Sequence, residues 1–236
     1  MQAVLLAGGL GTRLKSVVND RPKPMADVCG RPFAEYLILE LKKNGIKDII
    51  FAIGYKGEMI REYFKNGEQL GVHIEYSYEK EQLGTAGAIK NAGKYINEDK
   101  FFVLNADTLY QAVYSDVIEL YNKENVDMAL VLRKVPDVSR YGSIKMEDCI
   151  ITGFNEKVST HTPGLINGGI YLMKNNVLDL IPEGQKISLE NEIIPGMLLD
   201  KKKIGAVVNE GYFIDIGVPD DYFKFIKDVE KQNIKF

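Results

Sequence analysis

A glycine-rich segment near the start of the chain contains residues whose types and spacing suit anion chemistry. In LLAGGLGTRLKSVVNDRPKPM, the glycines Gly8, Gly9 and Gly11 follow a short apolar run. Glycine accepts positive φ, and neighbouring glycines expose backbone N–H groups that bind anions such as phosphate. Arg13 adds a planar guanidinium, and Lys23, held between two prolines, adds a point charge. The segment therefore predicts a site for a phosphorylated ligand.

The spacing of this segment differs from two well-known phosphate-binding motifs. A P-loop needs a Lys-Ser or Lys-Thr pair after its last glycine, where this chain has Thr12-Arg13. The dinucleotide fingerprint needs a third glycine where this chain has Leu14, which disfavours a dinucleotide-dependent oxidoreductase. Taken alone, the loop could also be a tight turn, and Lys23 a solvated surface lysine.

Alternating strand and helix patterns must position this loop. Strand-like runs at 3–7, 48–54, 73–78 and 100–107 alternate with helical periodicity that ends at Asn44-Gly45 and recurs over roughly 57–65 and 86–95. This rhythm predicts an α/β fold with a mainly parallel sheet flanked by helices. Beyond about residue 127, strands separated only by turns predict a smaller mixed or antiparallel extension. The remaining expectations are helices near 175–181 and 188–200, a strand pair around 204–216 and a terminal helix from about 219.

Composition limits the classes of function. The 236 residues are 45% hydrophobic and 27% charged, which favours one domain over residues 1–236. A net charge of −3 without a long basic run argues against a nucleic-acid partner. Cys29 and Cys149 form neither a disulfide framework nor a zinc motif. No stretch approaches eighteen apolar residues, so we expect a soluble, cytoplasmic protein without a membrane partner.

Eight motifs in a fixed order carry a resemblance along almost the whole chain. They are GGLGTRL…RPKPM, EKEQLGTAGAI, LNADTL, RYGSI, FNEK, INGGIYL, SLENEIIP and FIDIGVPDDY. Together they resemble the signature of the sugar-1-phosphate nucleotidylyltransferases. The resemblance implies a Rossmann-like nucleotidyltransferase fold and an enzyme that joins a nucleoside triphosphate to a sugar 1-phosphate with release of pyrophosphate. A non-catalytic nucleotide-sugar-binding regulatory subunit is the alternative from another class, although the chain retains Arg13, Lys23, Asp107 and Asp215.

The resemblance also implies which residues bind the nucleotide and the metal. The nucleotide-binding positions would be Leu6, Ala7, Gly8, Gly9, Gly11, Thr12, Arg13, Lys23, Glu79, Leu83, Gly84, Thr85, Asn105 and Asp107, with Arg13, Lys23 and Asp107 acting in catalysis. Asp107 and Asp215 would be the ligands of Mg²⁺, which takes one or two carboxylates and substrate phosphates. Either aspartate could instead be a turn or cap residue, and LGTAGAI could be a simple strand-to-helix turn.

The sugar 1-phosphate would be bound by the second half of the chain. The matching positions are Tyr141, Gly142, Glu156, Lys157, Asn167, Gly168, Gly169 and Glu190. Lys157 would neutralise the attacking phosphate and Glu156 would accept hydrogen bonds from sugar hydroxyls. Val158 stands where the family usually has proline, so the loop there would be looser, and Glu156-Lys157 could instead be exposed charges.

The motifs resemble the guanylyltransferase branch, including the mannose 1-phosphate and D-glycero-α-D-manno-heptose 1-phosphate enzymes. The chain ends soon after DYFKFIKDVEKQNIKF, so no C-terminal β-helix is expected and the compact heptose 1-phosphate enzymes are preferred. The rival is uridylyl, cytidylyl or thymidylyl transfer to another hexose or amino-sugar 1-phosphate. The sequence leaves a homo-oligomer open.

Overall fold

A parallel sheet forms the first half of the molecule. The computed structural model describes residues 1–9, 11–157 and 161–236, with the backbone alone for 155–157. Strands β1 (Gln2–Ala7), β4 (Asp48–Ile53), β5 (His73–Tyr78) and β6 (Lys100–Asn105) are all parallel, in the order β5-β4-β1-β6. The chain between them contains the short strands β2 (Asp27–Val28) and β3 (Arg31–Pro32) and the helices α1 (Phe33–Lys43), α2 (Gly57–Phe64) and α3 (Gly84–Ala92). This is the predicted alternation.

The sheet changes direction at β6. Its next strand, β11 (Gly164–Lys174), runs antiparallel to β6 and is followed by β8 (Met128–Val135), β12 (Ile204–Val208), β10 (Ile150–Lys157) and β9 (Gly142–Glu147). β8 and β12 are parallel to each other, and the other pairs here are antiparallel. The α/β class with a mixed extension is therefore confirmed, in one nine-stranded sheet.

The remaining elements refine the expectations from sequence. The two strands expected around 204–216 do not pair with each other, because β12 lies in the main sheet whereas β13 (Phe213–Asp215) pairs with β7 (Thr108–Tyr110). The expected helix at 175–181 is a 3₁₀ helix, Asn175–Leu180, and that at 188–200 is a π-helical turn, Leu189–Ile193, followed by α5 (Ile194–Leu199). Helix α4 (Tyr114–Glu124) was not expected, and α6 (Pro219–Glu230) is the expected terminal helix.

Apolar side chains pack on both faces of the sheet. In β1, Leu5 belongs to one buried cluster and its neighbour Val4 to the other. One cluster is covered by α1 and α6, whose Phe33 and Phe225 rings meet edge to face with centroids 5.2 Å apart. The other is covered by α3 and α5. A parallel sheet buried on both faces explains why its strands read as continuous apolar runs. No helix in the described ranges is long and apolar enough to span a membrane.

Candidate active site

A cavity of about 330 Å³ lies at the carboxyl ends of β1 and β6. Ligands in open α/β sheets bind at this edge, where the strands end and loops begin. Its lining includes most of the expected nucleotide-binding residues, namely Leu6, Ala7, Gly8, Gly9, Gly11, Lys23, Glu79, Gly84, Thr85, Asn105 and Asp107. Pro24, Gln82, Ala88 and Lys186 complete it. The sequence motifs from residues 6 to 107 therefore meet around one space.

Two glycines of the first loop, Gly8 and Gly11, are required by close approach, whereas a Cβ on Gly9 would meet nothing within 4 Å. A Cβ on Gly8 would lie 2.5 Å from Oε1 of Glu79, and one on Gly11 would lie 2.9 Å from Cγ of Lys23. Gly11 also has a φ of 62°, in the left-handed region that favours glycine. The loop thus packs directly against two polar side chains of the cavity, and a larger residue would displace them.

Four charged side chains gather beside this loop. Asp107 follows β6, and the pairing of β13 with β7 brings Asp215 next to it, with Ile216 N–H donating to the Asp107 carbonyl at 3.0 Å. Lys23 Nζ lies 2.7 Å from Oδ2 of Asp107. The Arg13 guanidinium lies against Gly217. Nη2 of Arg13 is 3.3 Å from the position that a Cβ on Gly217 would occupy. The structure therefore brings together the two predicted carboxylates and the two predicted cations.

Burial shapes the electrostatics of this cluster. The pKa of Asp215 is raised, first by burial and then by the nearby Asp107 carboxylate. The Gly217 N–H, which donates to Asp215 Oδ1 at 2.7 Å, and the charges of Lys23 and Arg13 oppose that rise in pKa. A buried pair of carboxylates raises the pKa of one member because two adjacent negative charges repel. A cation between the two would relieve this repulsion.

The donor set fits a hard divalent cation. In the described part of the chain, no group of three or more His, Cys, Asp or Glu side chains could hold a metal ion. Magnesium does not need such a group, since it keeps several waters and takes one or two carboxylates together with substrate phosphates. Asp107 and Asp215 offer that number of oxygen ligands beside the phosphate-binding loop.

The opposite end of the cavity is formed by the LGTAGAI segment. Glu79 is buried, and its Oε2 accepts a hydrogen bond from the Leu83 N–H at 3.1 Å. Burial raises the pKa of the Glu79 carboxyl. Gly84 opens α3 with a φ of 70°, and a Cβ there would lie 2.5 Å from the Ile187 carbonyl oxygen. A Cβ on Gly87 would likewise lie 2.5 Å from the Gln185 carbonyl oxygen, so these two glycines together allow the segment around Ile187 to approach α3.

The expected sugar-binding residues of β11 lie beside Asn105 and Tyr110, at the end of β6 and in β7. Gly169 has a φ of 75°, and a Cβ on it would lie 3.0 Å from Nδ2 of Asn105, which lines the cavity. Gly168 packs against the Tyr110 ring, and the register of β11 against β8 shifts between Asn167 and Tyr171. The irregular strand thus turns its Asn-Gly-Gly run toward the end of β6.

The other expected sugar-binding residues include Tyr141-Gly142, at the start of β9, and Glu156-Lys157, at the end of β10. The pKa of Tyr141 is raised by burial, and the charges around it include Arg140, Asp215 and Arg13, which places Tyr141 near the charged cluster. Gly142 begins β9 directly after it. Glu156 and Lys157 end β10, but their side chains lie outside the described residues, as does Val158 altogether.

Three polar side chains near the site were given no role by the sequence analysis. Gln82 and Lys186 line the cavity. Arg140 pairs with Asp221 of α6 at 2.7 Å, beside Tyr141. Gln82 lies within EKEQLGTAGAI and Arg140 within RYGSI, so membership of a recognised motif was an available signal. Lys186 reaches the cavity only because Ile187 hydrogen-bonds to Leu83 and Ala86, about a hundred residues earlier, and no local pattern reveals that contact.

Comparison with known proteins decides the family. The sequence profile described as nucleotidyl transferase matches residues 2–232. The chain belongs to this family. The resemblance drawn from the eight motifs is thereby confirmed, and the cavity at β1 and β6 is the candidate active site of a nucleotidyl transferase.

Curated relatives within the nucleotidyl transferase family narrow the branch. A D-glycero-alpha-D-manno-heptose 1-phosphate guanylyltransferase of Campylobacter jejuni is 44% identical over 96% of this chain and 99% of its own length. An enzyme of the same name from Aneurinibacillus thermoaerophilus is 39% identical over 98% and 99%. A mannose-1-phosphate guanylyltransferase of Mycobacterium tuberculosis is 33% identical over 97% of this chain but only 64% of its own length.

Solved structures agree with the fold. HddC from Yersinia pseudotuberculosis, crystallised with GMP-PN, has a TM-score of 0.85 at 37% identity, covering 97% of this chain and 99% of its own. A putative glucose-1-phosphate thymidylyltransferase from Bacillus anthracis has a TM-score of 0.86, covering 100% and 97%. At 21% identity, the second likeness shows the fold alone.

Proposed function

We propose that this nucleotidyl transferase moves a guanylyl group from GTP to D-glycero-α-D-manno-heptose 1-phosphate and releases pyrophosphate. The observation that carries the proposal is the convergence of Lys23, Asp107 and Asp215 beside the glycine loop. The heptose 1-phosphate guanylyltransferases that match this chain over nearly their full length support the choice of base and sugar.

The chemistry explains which residue types the site contains. A phosphate oxygen of the sugar 1-phosphate attacks the α-phosphorus of GTP, a new P–O bond forms, and the bond to the β-phosphate oxygen breaks. The nucleophile is already ionised at neutral pH, so no general base is required. Catalysis then depends on neutralising charge and aligning two polyanions. A site of cations, carboxylates and backbone amides meets that requirement.

The nucleotide would lie along the first half of the cavity. The amides of the loop around Gly8, Gly9 and Gly11, with Thr12, would face the triphosphate, and Arg13 and Lys23 would neutralise its charge. Leu6, Ala7, Glu79, Leu83, Gly84, Thr85 and Asn105 would surround the base and ribose. The buried Glu79 carboxylate is the natural acceptor for donors of the base, because among the described residues only the Leu83 N–H donates to it.

Asp107 and Asp215 would hold Mg²⁺ beside the glycine loop. When bound, this ion supplies charge neutralisation for the phosphates. The sugar 1-phosphate would approach from β11 and β9, with Asn167, Gly168, Gly169, Tyr141, Gly142, Glu156 and Lys157 around it.

The location we expect for the protein is the cytoplasm, where GTP is available.

The test is pyrophosphate release with Mg²⁺, using GTP, UTP, CTP, dTTP and ATP against mannose, heptose, glucose and N-acetylhexosamine 1-phosphates. We expect the highest kcat/KM with GTP and the heptose 1-phosphate. Preference for a pyrimidine triphosphate would overturn the choice of base and keep the reaction. Absence of turnover with every pair would overturn the reaction and favour a nucleotide-sugar-binding regulator.

Asp107→Asn tests the metal site within that assay. We expect it to lower kcat by about 10³-fold, because one of the two metal ligands loses its charge. Asp48→Asn is the matched control, since Asp48 is exposed at the start of β4, at the other edge of the sheet. An Asp107→Asn enzyme with wild-type turnover would contradict the assignment.

A further inference from the structure

A continuous chain of hydrogen bonds joins the two halves of the candidate site. Its centre is Glu190, in the π-helical turn before α5. Oε2 of Glu190 accepts from the Thr85 hydroxyl at 2.7 Å and from the Ser188 hydroxyl at 3.1 Å. Oε1 accepts from the Tyr171 hydroxyl at 2.8 Å. Both carboxylate oxygens are therefore engaged by the protein itself.

On the nucleotide side, the chain ends at the start of α3. The Thr85 hydroxyl accepts from the Leu189 N–H at 2.7 Å while it donates to Glu190. Ile187 N–H donates to the Leu83 carbonyl at 2.8 Å, and its carbonyl accepts from Ala86 N–H at 3.0 Å. The turn carrying Glu190 is thus fixed against the LGTAGAI segment at four points.

On the sugar side, the chain continues through β11. Asn167 Nδ2 donates to the Tyr171 hydroxyl at 2.6 Å, and Asn167 Oδ1 accepts from the Gly169 N–H at 3.0 Å. Gly169 stands in the left-handed region beside the Asn105 amide. The Tyr171 side chain is completely buried, and its hydroxyl is engaged by Asn167 and Glu190.

These contacts change the role expected of Glu190. A carboxylate that accepts from three protein hydroxyls is held in place by strong charge-assisted bonds and has little capacity left for a sugar hydroxyl. The hydroxyl proton of Thr85 is likewise used in the hydrogen bond to Glu190. The arrangement serves to fix the relative position of the two segments on either side.

We propose that Glu190 is a positioning residue that couples the nucleotide-binding segment at Thr85 to the sugar-binding segment Asn167–Gly169 through Tyr171. This inference rests on the proposed function for the identity of the two ligands. Coupling of this kind is reciprocal, so a disturbance on one side must alter binding on the other.

Tyr171→Phe is the decisive variant. It removes one hydroxyl from the chain on the β11 side, and because that hydroxyl meets the Thr85 segment only through Glu190, a change in GTP binding would be indirect. We expect KM to rise for both the sugar 1-phosphate and GTP, on the order of fivefold or more, with a smaller change in kcat. Tyr114→Phe is the matched control, because Tyr114 is also buried but its hydroxyl has no partner among the described residues. It should leave both KM values unchanged.

Thr85→Val and Thr85→Ser provide a second measurement from the nucleotide side. Valine removes the hydroxyl that reaches Glu190, and we expect weaker binding of the sugar 1-phosphate by a similar factor. Serine restores the hydroxyl and should recover most of that affinity. This pair decides the question if Tyr171→Phe does not fold.

The outcomes separate positioning from simple structural support. Variants that lower the melting temperature without moving either KM, or that move only the KM of the substrate on their own side, would overturn the coupling. Dissociation constants for GTP alone and for the sugar 1-phosphate alone, measured by calorimetry, give the same comparison without turnover. A wild-type protein that binds both ligands with coupled affinities but releases no pyrophosphate would contradict the proposed function and leave the coupling supported.

Discussion

At the scale of single residues, the site is a balance of close opposite charges. Lys23 is mostly buried and pairs with Asp107, while Asp215 and Arg13 lie beside them. Partly buried charges of this kind interact more strongly than exposed pairs, because less water screens them. Each substitution here therefore alters both the ligand contacts and the charges that remain.

Lys23→Met should reduce kcat/KM by roughly 10²- to 10³-fold, the usual effect of removing one charge that stabilises a transition state. Methionine keeps most of the side-chain volume, so the packing of Gly11 on the lysine stem is retained. The measurement is steady-state pyrophosphate release. Lys47→Met is the control, since Lys47 is exposed just before β4. Equal activities of the two variants would refute a role for Lys23 in the reaction.

Glu79→Gln should stabilise the ligand-free protein at neutral pH and weaken GTP binding. Burial raises the pKa of Glu79 in the folded state. Because the folded pKa lies above the unfolded one, ionising this carboxyl costs stability. That cost is absent below the unfolded pKa of about 4.3 and is complete once the pH has risen through the folded pKa. Glutamine keeps an oxygen for the Leu83 N–H.

Urea unfolding at several pH values checks this prediction. The variant should be more stable than the wild type at pH 8, and the difference should shrink as the pH falls toward about 4. Glu62→Gln, at an exposed position, is the control and should show no such dependence. A variant less stable than the wild type at pH 8 would show that the carboxylate has a stabilising partner.

At the scale of elements, the site depends on how segments far apart in sequence dock. The clearest case is the approach of residues 185–187 to the start of α3, which Gly84 and Gly87 allow, because a Cβ on either would lie 2.5 Å from a backbone carbonyl oxygen. A residue with a Cβ at Gly84 would have to push away a backbone carbonyl, which cannot rotate aside as a flexible side chain can. The effect should spread to the cavity lining that this docking positions.

Gly84→Ala and Gly45→Ala separate the cost of backbone strain from the cost of docking. Both glycines have positive φ, 70° and 78°, so alanine should cost about 1–2 kcal/mol at either position. At Gly45 a Cβ meets nothing within 4 Å, whereas at Gly84 it meets the Ile187 carbonyl. We expect Gly84→Ala to lose about 1 kcal/mol or more beyond Gly45→Ala in urea unfolding. Equal losses would mean that the docked segment moves freely.

Local signals explain what the sequence predicted about these elements. The apolar runs predicted the strands of the first half, and Asn44-Gly45 predicted the end of α1. These features could be predicted because they depend on neighbouring residues. The predicted pairing of the two strands around 204–216 was wrong. β12 pairs with β8 and β13 pairs with β7, and both partners are far away in the chain. The gathering of Arg13, Lys23, Asp107 and Asp215 followed only from the family resemblance. The contacts of Glu190 were not foreseen, because the motifs show residue types but not hydrogen-bond partners.

At the scale of the whole molecule, the two halves of the site share one sheet. β6 pairs with β1 on one side and with β11 on the other, and the apolar clusters on both faces include residues from both halves. Neither half therefore has a separate core. This sharing supports our proposal, first made from length and composition, that residues 1–236 form one domain.

Unfolding should accordingly be a single cooperative transition. The chain has thirteen tyrosines and no tryptophan, so tyrosine fluorescence reports tertiary packing while far-ultraviolet circular dichroism reports the backbone. We expect the two signals to give the same urea midpoint. Two separated midpoints would show that the halves fold independently.

The oligomeric state can be measured by light scattering on the same purified protein.

The course of the chain through this sheet has a further consequence. The chain leaves the parallel half after α4, builds β8 to β12, and returns once, through β13 and α6, where Phe225 packs on Phe33 and the Tyr222 hydroxyl donates to the Asp27 carbonyl. The segment from Met128 to Val208 is thus topologically an insertion, bounded by two crossings. It shares both apolar clusters with the rest of the chain and contributes Lys186 to the cavity. A chimaera that exchanged this segment between relatives would therefore have to preserve its buried contacts with β6 and α3 while it replaced the proposed acceptor-binding residues.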